Sequence, residues 1–269
     1  MNSTAPVSAS RPAAVVERVR HPFRARHVQL LAREQPSPGF VRLTLAGPDL
    51  HDFASAGFDD HVKLILPQEG RQLPALPVLL DGRPTFVEDE RPTLRDYTPL
   101  RWDLGRQTLT LDFALHEAGP ATEWALTAPV GQWLGLAGPR GSLVIAADLG
   151  WHWLFGDETA MPAIERRLAE LPAGSRAVVR VQLRNREDQR PWHSAAALDC
   201  AWVDHLAEAV QDLQLPPGEG YVWAAGEHSA MAELRRLLLA KGVSPKRMRV
   251  ASYWKQGMAD HHEDLNDPS

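Results

Sequence analysis

The chain has 269 residues, enough for one large domain or two of ordinary size, and its 44% hydrophobic and 23% charged residues are typical of a globular protein. The net charge of −5 argues against a nucleic-acid-binding protein that relies on bulk positive charge, so we expect small-molecule partners and no nucleic acid. The single cysteine excludes an internal disulfide and suggests a reducing compartment. No segment has the apolar run of a signal peptide or of a membrane span, which predicts a cytoplasmic protein without membrane insertion.

The first half of the chain has the pattern of a β-barrel. Residues 1–20 are small, polar and rich in proline and alanine, which predicts a flexible N-terminal arm. Beyond them, apolar and polar residues alternate in short segments broken by proline and glycine, most clearly in FVRLTLAG, DHVKLILP and LTLDFALH. Short strands at this spacing predict an antiparallel barrel. The proline-rich segment after DHVKLILP predicts a loop or a hairpin insertion.

From residue 148 onward, apolar runs alternate with amphipathic segments of helical period. Buried strands are predicted in WHWLFG, RAVVRVQL, YVWAAGE and MRVASYW, and helices in AMPAIERRLAELP, DHLAEAVQDL and SAMAELRRLLLAKG. Alternating strands and helices predict a parallel sheet, and ligands bind at the carboxyl ends of such strands. GDET and AAGE occupy two of these ends.

Five segments of the chain resemble, in family order, the siderophore-interacting proteins, which are ferredoxin-reductase-like, FAD-dependent ferric-siderophore reductases. They are FDDHVKLILP, RDYTPLRWD, LDFALHEAGPATEWALTAPVGQWLGLAGPRGS, LFGDETAMPAIERRLAELP, and YVWAAGEHSAMAELRRLL with ASYWKQG after it. The resemblance implies a six-stranded antiparallel FAD-binding barrel over residues 21–147. It also implies a Rossmann-like, parallel-sheet NAD(P)H-binding domain over residues 148–269, ending in an acidic tail.

The segment RDYTPLRWD concentrates polar groups just before a strand. Taken alone, it is typical of a polar edge strand that enters a turn at its proline. The resemblance implies that it lies along the flavin, with Arg95 on the FAD pyrophosphate, Tyr97 on the isoalloxazine ring, Thr98 at the ring edge and Asp96 in the same stretch. These roles suit the side chains, because a guanidinium matches phosphate oxygens and a phenol has an apolar face with a polar tip.

The strand LTLDFALH has two distinct faces. Its apolar residues share one face, so Asp112, Ala114 and His116 lie on the other. Spacing alone leaves open whether this second face is solvated. The resemblance implies that these three residues flank the flavin and its ribityl chain.

A helix is predicted to begin in HEAGPATEWAL. The unpaired N–H groups and the dipole of a helix start favour a phosphate, although such a start is more often only a cap. The resemblance places the FAD pyrophosphate at this turn. The implied cofactor residues here are Gly119, Pro120, Ala121, Thr122 and Trp124.

In GDET, two acidic residues before a helix commonly compensate its dipole. The resemblance implies that this loop faces the flavin and the nucleotide cleft, with Thr159 as a contact, and that Trp254 lies near the flavin. The chain has no G-x-G-x-x-G fingerprint, so its residues do not choose between NADH, NADPH and a ferredoxin as electron donor. Arg184 and Arg186 could contact a 2′-phosphate or be solvated loop charges.

The resemblance therefore predicts a monomeric oxidoreductase that passes electrons from NAD(P)H or a ferredoxin through FAD to a ferric siderophore, with the flavin rather than a catalytic side chain carrying the chemistry. Two alternatives remain: a non-catalytic protein that binds ferric siderophore or flavin, and a flavin reductase with another acceptor. An anionic ferric siderophore needs a local basic patch, for which Lys63 and Arg140 are the candidates and Lys255 a weaker one. No motif has zinc-site spacing, and the sequence HHED at 261–264 is expected to be a solvated tail, so no metal site is predicted.

Overall fold

The computed structural model of the protein describes residues 15–68, 70–87, 92–115, 119–258 and 263–265. The first half is built almost entirely from strands. Its elements are β1 (Val16–Arg20), β2 (Ala25–Ser37), β3 (Phe40–Ala46), β4 (Val62–Ile65), β5 (Val78–Leu80), β6 (Arg83–Thr85), β7 (Leu94–Tyr97), β8 (Arg101–Asp103), β9 (Thr108–Ala114), α1 (Pro120–Thr127), β10 (Trp133–Ala137) and β11 (Gly141–Ile145).

The main sheet of this half has the strand order β7-β4-β10-β2-β3-β9-β8, and all its pairs are antiparallel. Strands β7 and β8 are two halves of one chain segment, interrupted around Pro99. Strand β7 pairs with β4 and strand β8 pairs with β9, so this segment joins the two edges of the sheet. Six chain segments therefore form the antiparallel barrel, as predicted.

The alternation that predicted the strands also fills the barrel. Three apolar pairs of β3 and β9 are in register, and each side chain is at most 1% exposed: Val41↔Phe113, Leu43↔Leu111 and Leu45↔Leu109. Helix α1 packs across this barrel, and its buried side chains join the same apolar cluster. The barrel core is therefore dictated by period-two patterning.

The N-terminal segment and the insertion after β4 are both more ordered than their composition suggests. The prediction that all of residues 1–20 form a flexible arm is wrong for Val16–Arg20, which pair with β11 from Val16↔Ile145 to Arg20↔Gly141. Composition missed this strand because its stability comes from backbone pairing with a distant strand and from the packing of Val16 on a core. Residues 1–14 lie outside the described part of the chain.

The insertion after β4 contains the β5–β6 hairpin, whose Asp81-Gly82 turn has φ values of 50° and 74°.

The second half forms a sheet with helices on both faces. Its elements are β12 (Trp151–Asp157), α2 (Met161–Glu170), β13 (Arg176–Gln182), β14 (Ala197–Val203), α3 (Leu206–Gln211), β15 (Gly220–Glu227), α4 (His228–Ala240), β16 (Met248–Trp254) and β17 (Glu263–Asp264).

The strand order of this sheet is β14-β13-β12-β15-β16-β17. The first five strands are parallel, but β17 is antiparallel to β16, so the sheet is mixed and the expected purely parallel sheet is wrong at this edge. The edge strand β14 was not predicted, because ALDCAWV is half exposed and lacks a buried alternation.

The predicted helix faces are buried against opposite sides of this sheet. Ile164 and Leu168 of α2 pack on one side, and Leu234 and Leu238 of α4 on the other. The core under α2 also includes Phe40 and Phe58 from the first half, so the two halves share apolar packing. None of the helices in the described ranges is long and apolar enough to cross a membrane.

Candidate functional site

Strand β7 presents an aromatic ring and a guanidinium on one side. Its register with β4 pairs Val62 with Tyr97 and Leu64 with Arg95, so Tyr97 and Arg95 project to the same side of the strand. The Tyr97 ring packs on Phe113 with centroids 4.0 Å apart. Burial raises the pKa of the Tyr97 phenol, which is therefore neutral. The described residues give Arg95 one hydrogen bond, from Nη1 to the carbonyl of Leu94.

Asp96 projects to the opposite side of β7. Its two carboxylate oxygens each accept a hydrogen bond from Nζ of Lys63 at 2.9 Å, across the Lys63↔Asp96 register pair. The Asp96 carboxylate, which was predicted to contact the cofactor, is thus bound by Lys63. In turn, Asp96 compensates the charge of Lys63, which was predicted to attract the substrate. The cause is the strand pleat, which separates Asp96 from Arg95 and Tyr97.

Asp112 lies in a buried ion-pair cluster between the two halves of the protein. Its side chain is 0% exposed and accepts hydrogen bonds from Nε and Nη2 of Arg42 at 2.6 and 2.8 Å, and from Nη1 of Arg190 at 2.8 Å. Burial alone would raise the pKa of Asp112, but the two guanidinium groups outweigh it and hold the pKa below its usual value. This carboxylate ties Arg190 of the second half to the barrel, and its contact with the flavin stays a prediction.

Ala114 and His116 were predicted, with Asp112, to flank the flavin. Ala114 is half-buried at the end of β9, which lies against the turn of Glu158–Ala160. His116 lies outside the described residues, so its flavin contact stays a prediction.

The start of α1 is open. Gly119 is the N-cap; among the described residues, no side chain caps the helix, and none has an atom within 4 Å of a Cβ added at Gly119. Pro120 occupies the first turn, Ala121 is buried and Thr122 is half-buried. The indole Nε1 of Trp124 is buried and has no hydrogen-bond partner among the described residues. A helix start without a side-chain cap fits a phosphate-bearing ligand such as the FAD pyrophosphate.

A cavity of about 200 Å³ lies at the carboxyl ends of the parallel strands β12, β13, β15 and β16. GDET and AAGE both reach it, as predicted for ligand binding at such an edge. Its charged lining residues are Asp157, Glu158, Arg184 and Glu227. Strand β9, which carries Phe113, lies against the turn of Glu158–Ala160, and the first residue of that turn lines the cavity.

Asp157 organises the cavity wall, and sequence analysis assigned it no role beyond dipole compensation. Its Oδ1 accepts hydrogen bonds from the amide and hydroxyl of Thr159 at 2.9 and 2.5 Å. Its Oδ2 accepts from Nε1 of Trp254 at 2.8 Å and from the amide of Glu227 at 2.9 Å. Thr159 and Trp254, both predicted as ligand contacts, are thus positioned by one carboxylate. Gly226 keeps this contact possible, since a Cβ there would lie 2.6 Å from Asp157 Oδ2.

The other two carboxyl groups of the cavity differ from each other. Glu227 caps α4 by accepting from the amides of Ser229 and Ala230, and these backbone bonds lower its pKa despite burial. Glu158 is buried, and burial together with the neighbouring Asp157 raises its pKa to about 7. Its Oε1 lies 3.3 Å from Nε of Arg184.

Arg184 and Arg186 were equal candidates for a 2′-phosphate contact, and the structure separates them. The guanidinium of Arg184 lies over the Trp254 ring, 5.1 Å from its centroid, and lines the cavity. Arg186 is paired with Asp204 at 3.2 Å, and both side chains are at least 70% exposed.

The three predicted substrate-binding cations do not form one cluster. Lys63 pairs in register with Ala137, and the turn after Ala137 carries the exposed Arg140, so these two share one rim of the barrel. Lys255 follows β16 in the second half, next to the cavity-lining Trp254. The described residues contain no group of three or more His, Cys, Asp or Glu side chains that could hold a metal ion, and residues 261–262 lie outside them.

Comparison with known proteins agrees with this arrangement. Residues 29–143 match the siderophore-interacting FAD-binding domain, and residues 149–257 match the siderophore-interacting protein family. The NADPH-dependent ferric-chelate reductase of Escherichia coli is 36% identical over 245 residues, which cover 88% of this chain and 96% of that protein. The ferric vibriobactin reductase of Vibrio cholerae is 28% identical over 253 residues, covering 89% and 93%. The crystal structure of a siderophore utilization protein from T. fusca superposes with a TM-score of 0.84 at 30% identity, covering 91% of this chain and 98% of the other. By its sequence and its fold, this chain belongs to the siderophore-interacting protein family.

Proposed function

We propose that this protein is an FAD-dependent reductase that takes electrons from NAD(P)H and releases iron from ferric siderophores in the cytoplasm. One observation carries the proposal: strand β9, whose Phe113 packs on Tyr97, lies against the turn that lines the cavity at the carboxyl edge of the second sheet. A protein that moves electrons between two ligands needs their sites to be adjacent. The names of the Escherichia coli and Vibrio cholerae relatives support ferric chelates as the acceptor and favour NADPH as the donor.

The residues of the barrel fit FAD. Arg95 offers its guanidinium to the pyrophosphate and the first turn of α1 offers backbone N–H groups; the buried indole N–H of Trp124, on the same helix, has no partner among the described residues. Tyr97 supplies a neutral aromatic surface held by Phe113. When bound, the flavin supplies the ability to accept two electrons from a nicotinamide and to pass them on one at a time.

The second half supplies a place for the nucleotide. Its five parallel strands have the order expected of a Rossmann-like domain, and the cavity lies at the edge where such domains bind ligands. Asp157 fixes the positions of Thr159 and Trp254 at this edge. The protein thereby orients the donor toward the barrel.

The acceptor site is proposed at the barrel rim that carries Arg140. A ferric tris-catecholate is strongly anionic, so an exposed cation near the flavin would attract it to a protein of net charge −5. Since Asp96 compensates Lys63, we expect Arg140 to contribute more of this attraction. Once reduced, the iron is held less tightly by hard oxygen donors, which releases it.

The test is spectroscopic. The purified protein should show the absorption of non-covalent FAD, NADPH should bleach it anaerobically, and a ferric siderophore should restore it with formation of Fe(II). A colourless protein that takes up no added FAD would refute the assignment. Bleaching by a reduced ferredoxin but by neither NADH nor NADPH would refute the nucleotide donor and leave the reductase function intact.

A further inference from the structure

The cavity at the carboxyl edge of the second sheet, where we propose that the nucleotide binds, has mainly acidic groups among its charged lining residues. This lining is unusual because the nucleotide is an anion. Among its described lining residues are three carboxyl groups and one guanidinium, that of Arg184. Two of the carboxylates are committed to the fold: Asp157 accepts four hydrogen bonds, and Glu227 caps α4. Glu158 is the exception, since it is 8% exposed and its ion-pair partner is Arg184.

The contact between Glu158 and Arg184 is loose. The distance from Oε1 to Nε is 3.3 Å, whereas charge-assisted hydrogen bonds are usually about 2.7–2.9 Å long. The buried Asp112 cluster of this protein, at 2.6–2.8 Å, is an example of the tighter kind. The Arg184 side chain is also 51% exposed and rests on the Trp254 ring. Its guanidinium is therefore accessible to an anion that enters the cavity.

We propose, on the basis of the NAD(P)H-dependent function above, that Glu158 and Arg184 form a proton-linked latch. A phosphate group of the dinucleotide takes the guanidinium of Arg184 from Glu158, and the Glu158 carboxylate takes up one proton from solvent as it loses this partner. The only covalent bond formed is the O–H bond of the protonated Glu158 carboxyl.

Two physical reasons favour this exchange. A phosphate matches the guanidinium fork at least as well as a carboxylate does, and it carries more charge. The carboxylate left behind would be buried and unpaired, which disfavours its charged form. Protonation removes that charge and also removes one of the negative charges that repel the entering phosphate.

The electrostatic surroundings of Glu158 set the pH range. Burial is the largest cause of its raised pKa of about 7, Asp157 and the more distant Asp188 add to it, and Arg184 opposes it. Glu227, on the N-terminal side of α4, is the remaining acidic group that faces the cavity. Moving Arg184 away raises the pKa further, so at pH 7–8 nucleotide binding should draw a proton from solution.

The experiment is calorimetric titration of NADP⁺ into the FAD-loaded protein between pH 6.5 and 8.5, in two buffers with different ionisation enthalpies. The wild type should take up a fraction of a proton, and its Kd should rise with pH, by up to about tenfold per pH unit. Glu158→Gln has the same size and cannot titrate, so it should lose this uptake and most of the pH dependence. Any ionisation of the nucleotide itself is common to both proteins. Equal proton uptake by the wild type and the variant would overturn the latch.

Arg184→Ala tests the other half of the latch. It should weaken NADP⁺ binding by about tenfold, as expected for one charged contact, and should reduce proton uptake because Glu158 is already protonated in the free variant. Arg176→Ala is the matched control, since it removes the same charge from the exposed, opposite end of β13 and should leave binding unchanged. Arg184→Ala with wild-type affinity and uptake would overturn the proposal.

Titration with NAD⁺ identifies which phosphate is involved. Uptake with NADP⁺ alone assigns the 2′-phosphate, and uptake with both nucleotides assigns the pyrophosphate; either result supports the latch. Nucleotide binding without proton uptake refutes the latch and leaves the proposed function standing. A protein that binds neither nucleotide and is not bleached by NADPH refutes the donor assignment and the latch together.

Discussion

Replacing Asp112 with asparagine should destabilise the protein severely. The change removes a fully buried charge that accepts three hydrogen bonds, two from Arg42 and one from Arg190, at 2.6–2.8 Å. Breaking a buried pair in this way usually costs about 3–5 kcal/mol, because the partner charges stay buried. At about 2–4 °C per kcal/mol for a chain of this size, Tm should fall by roughly 6–20 °C.

The assay is thermal and urea unfolding of the FAD-free protein, so that loss of the cofactor does not contribute. Asp199→Asn is the matched control: Asp199 accepts two hydrogen bonds from Arg180 in the same way, but its side chain is 61% exposed. The control should change the free energy of unfolding by less than about 1 kcal/mol.

The pH dependence has a definite sign. Because the folded-state pKa of Asp112 is held below its usual value, its stabilisation is complete above the unfolded pKa of about 4 and is lost as the pH falls through the folded-state value. The difference in stability between wild type and Asp112→Asn should therefore be constant near pH 7 and shrink below about pH 4. An Asp112→Asn protein that is as stable as the control but binds FAD poorly would refute this reasoning and return Asp112 to the flavin site.

Three further predictions concern separate parts of the molecule. Arg95→Ala should weaken FAD binding about thirtyfold, equivalent to about 2 kcal/mol, as measured by flavin fluorescence; Arg106→Ala, at an 85% exposed side chain, should not. Arg140→Ala should raise the KM for an anionic ferric siderophore and lessen its salt dependence, and a KM shifted equally by Arg83→Ala on the exposed hairpin would argue against a local site. Burial lowers the pKa of His152 from 6.5 to about 4, so this side chain should contribute a loss of about 3 kcal/mol of stability between pH 6.5 and pH 4, measured as the difference between wild type and His152→Gln; the same pH slope in both proteins would contradict this.

The chain alone determined the features that depend on local periodicity. Alternation in FVRLTLAG and LTLDFALH predicted two buried barrel strands, and the helical faces of α2 and α4 were predicted from their apolar spacing. The order of strands and helices placed GDET and AAGE at the carboxyl edge, where the cavity lies. These predictions succeed because a strand or a helix exposes its faces at a fixed period, whatever packs against it.

Only the tertiary structure decided what each polar face meets. Periodicity put Asp112 on the outer face of β9, but its partner Arg190 is 78 residues away in the chain and reaches it because the two halves pack together. Lys63 and Asp96 are 33 residues apart and meet through strand register. Trp254 and Asp157 are 97 residues apart and meet because β16 and β12, which they end, both flank β15. Whether a charged residue binds a ligand or another residue depends on such long-range neighbours, which a local pattern does not encode.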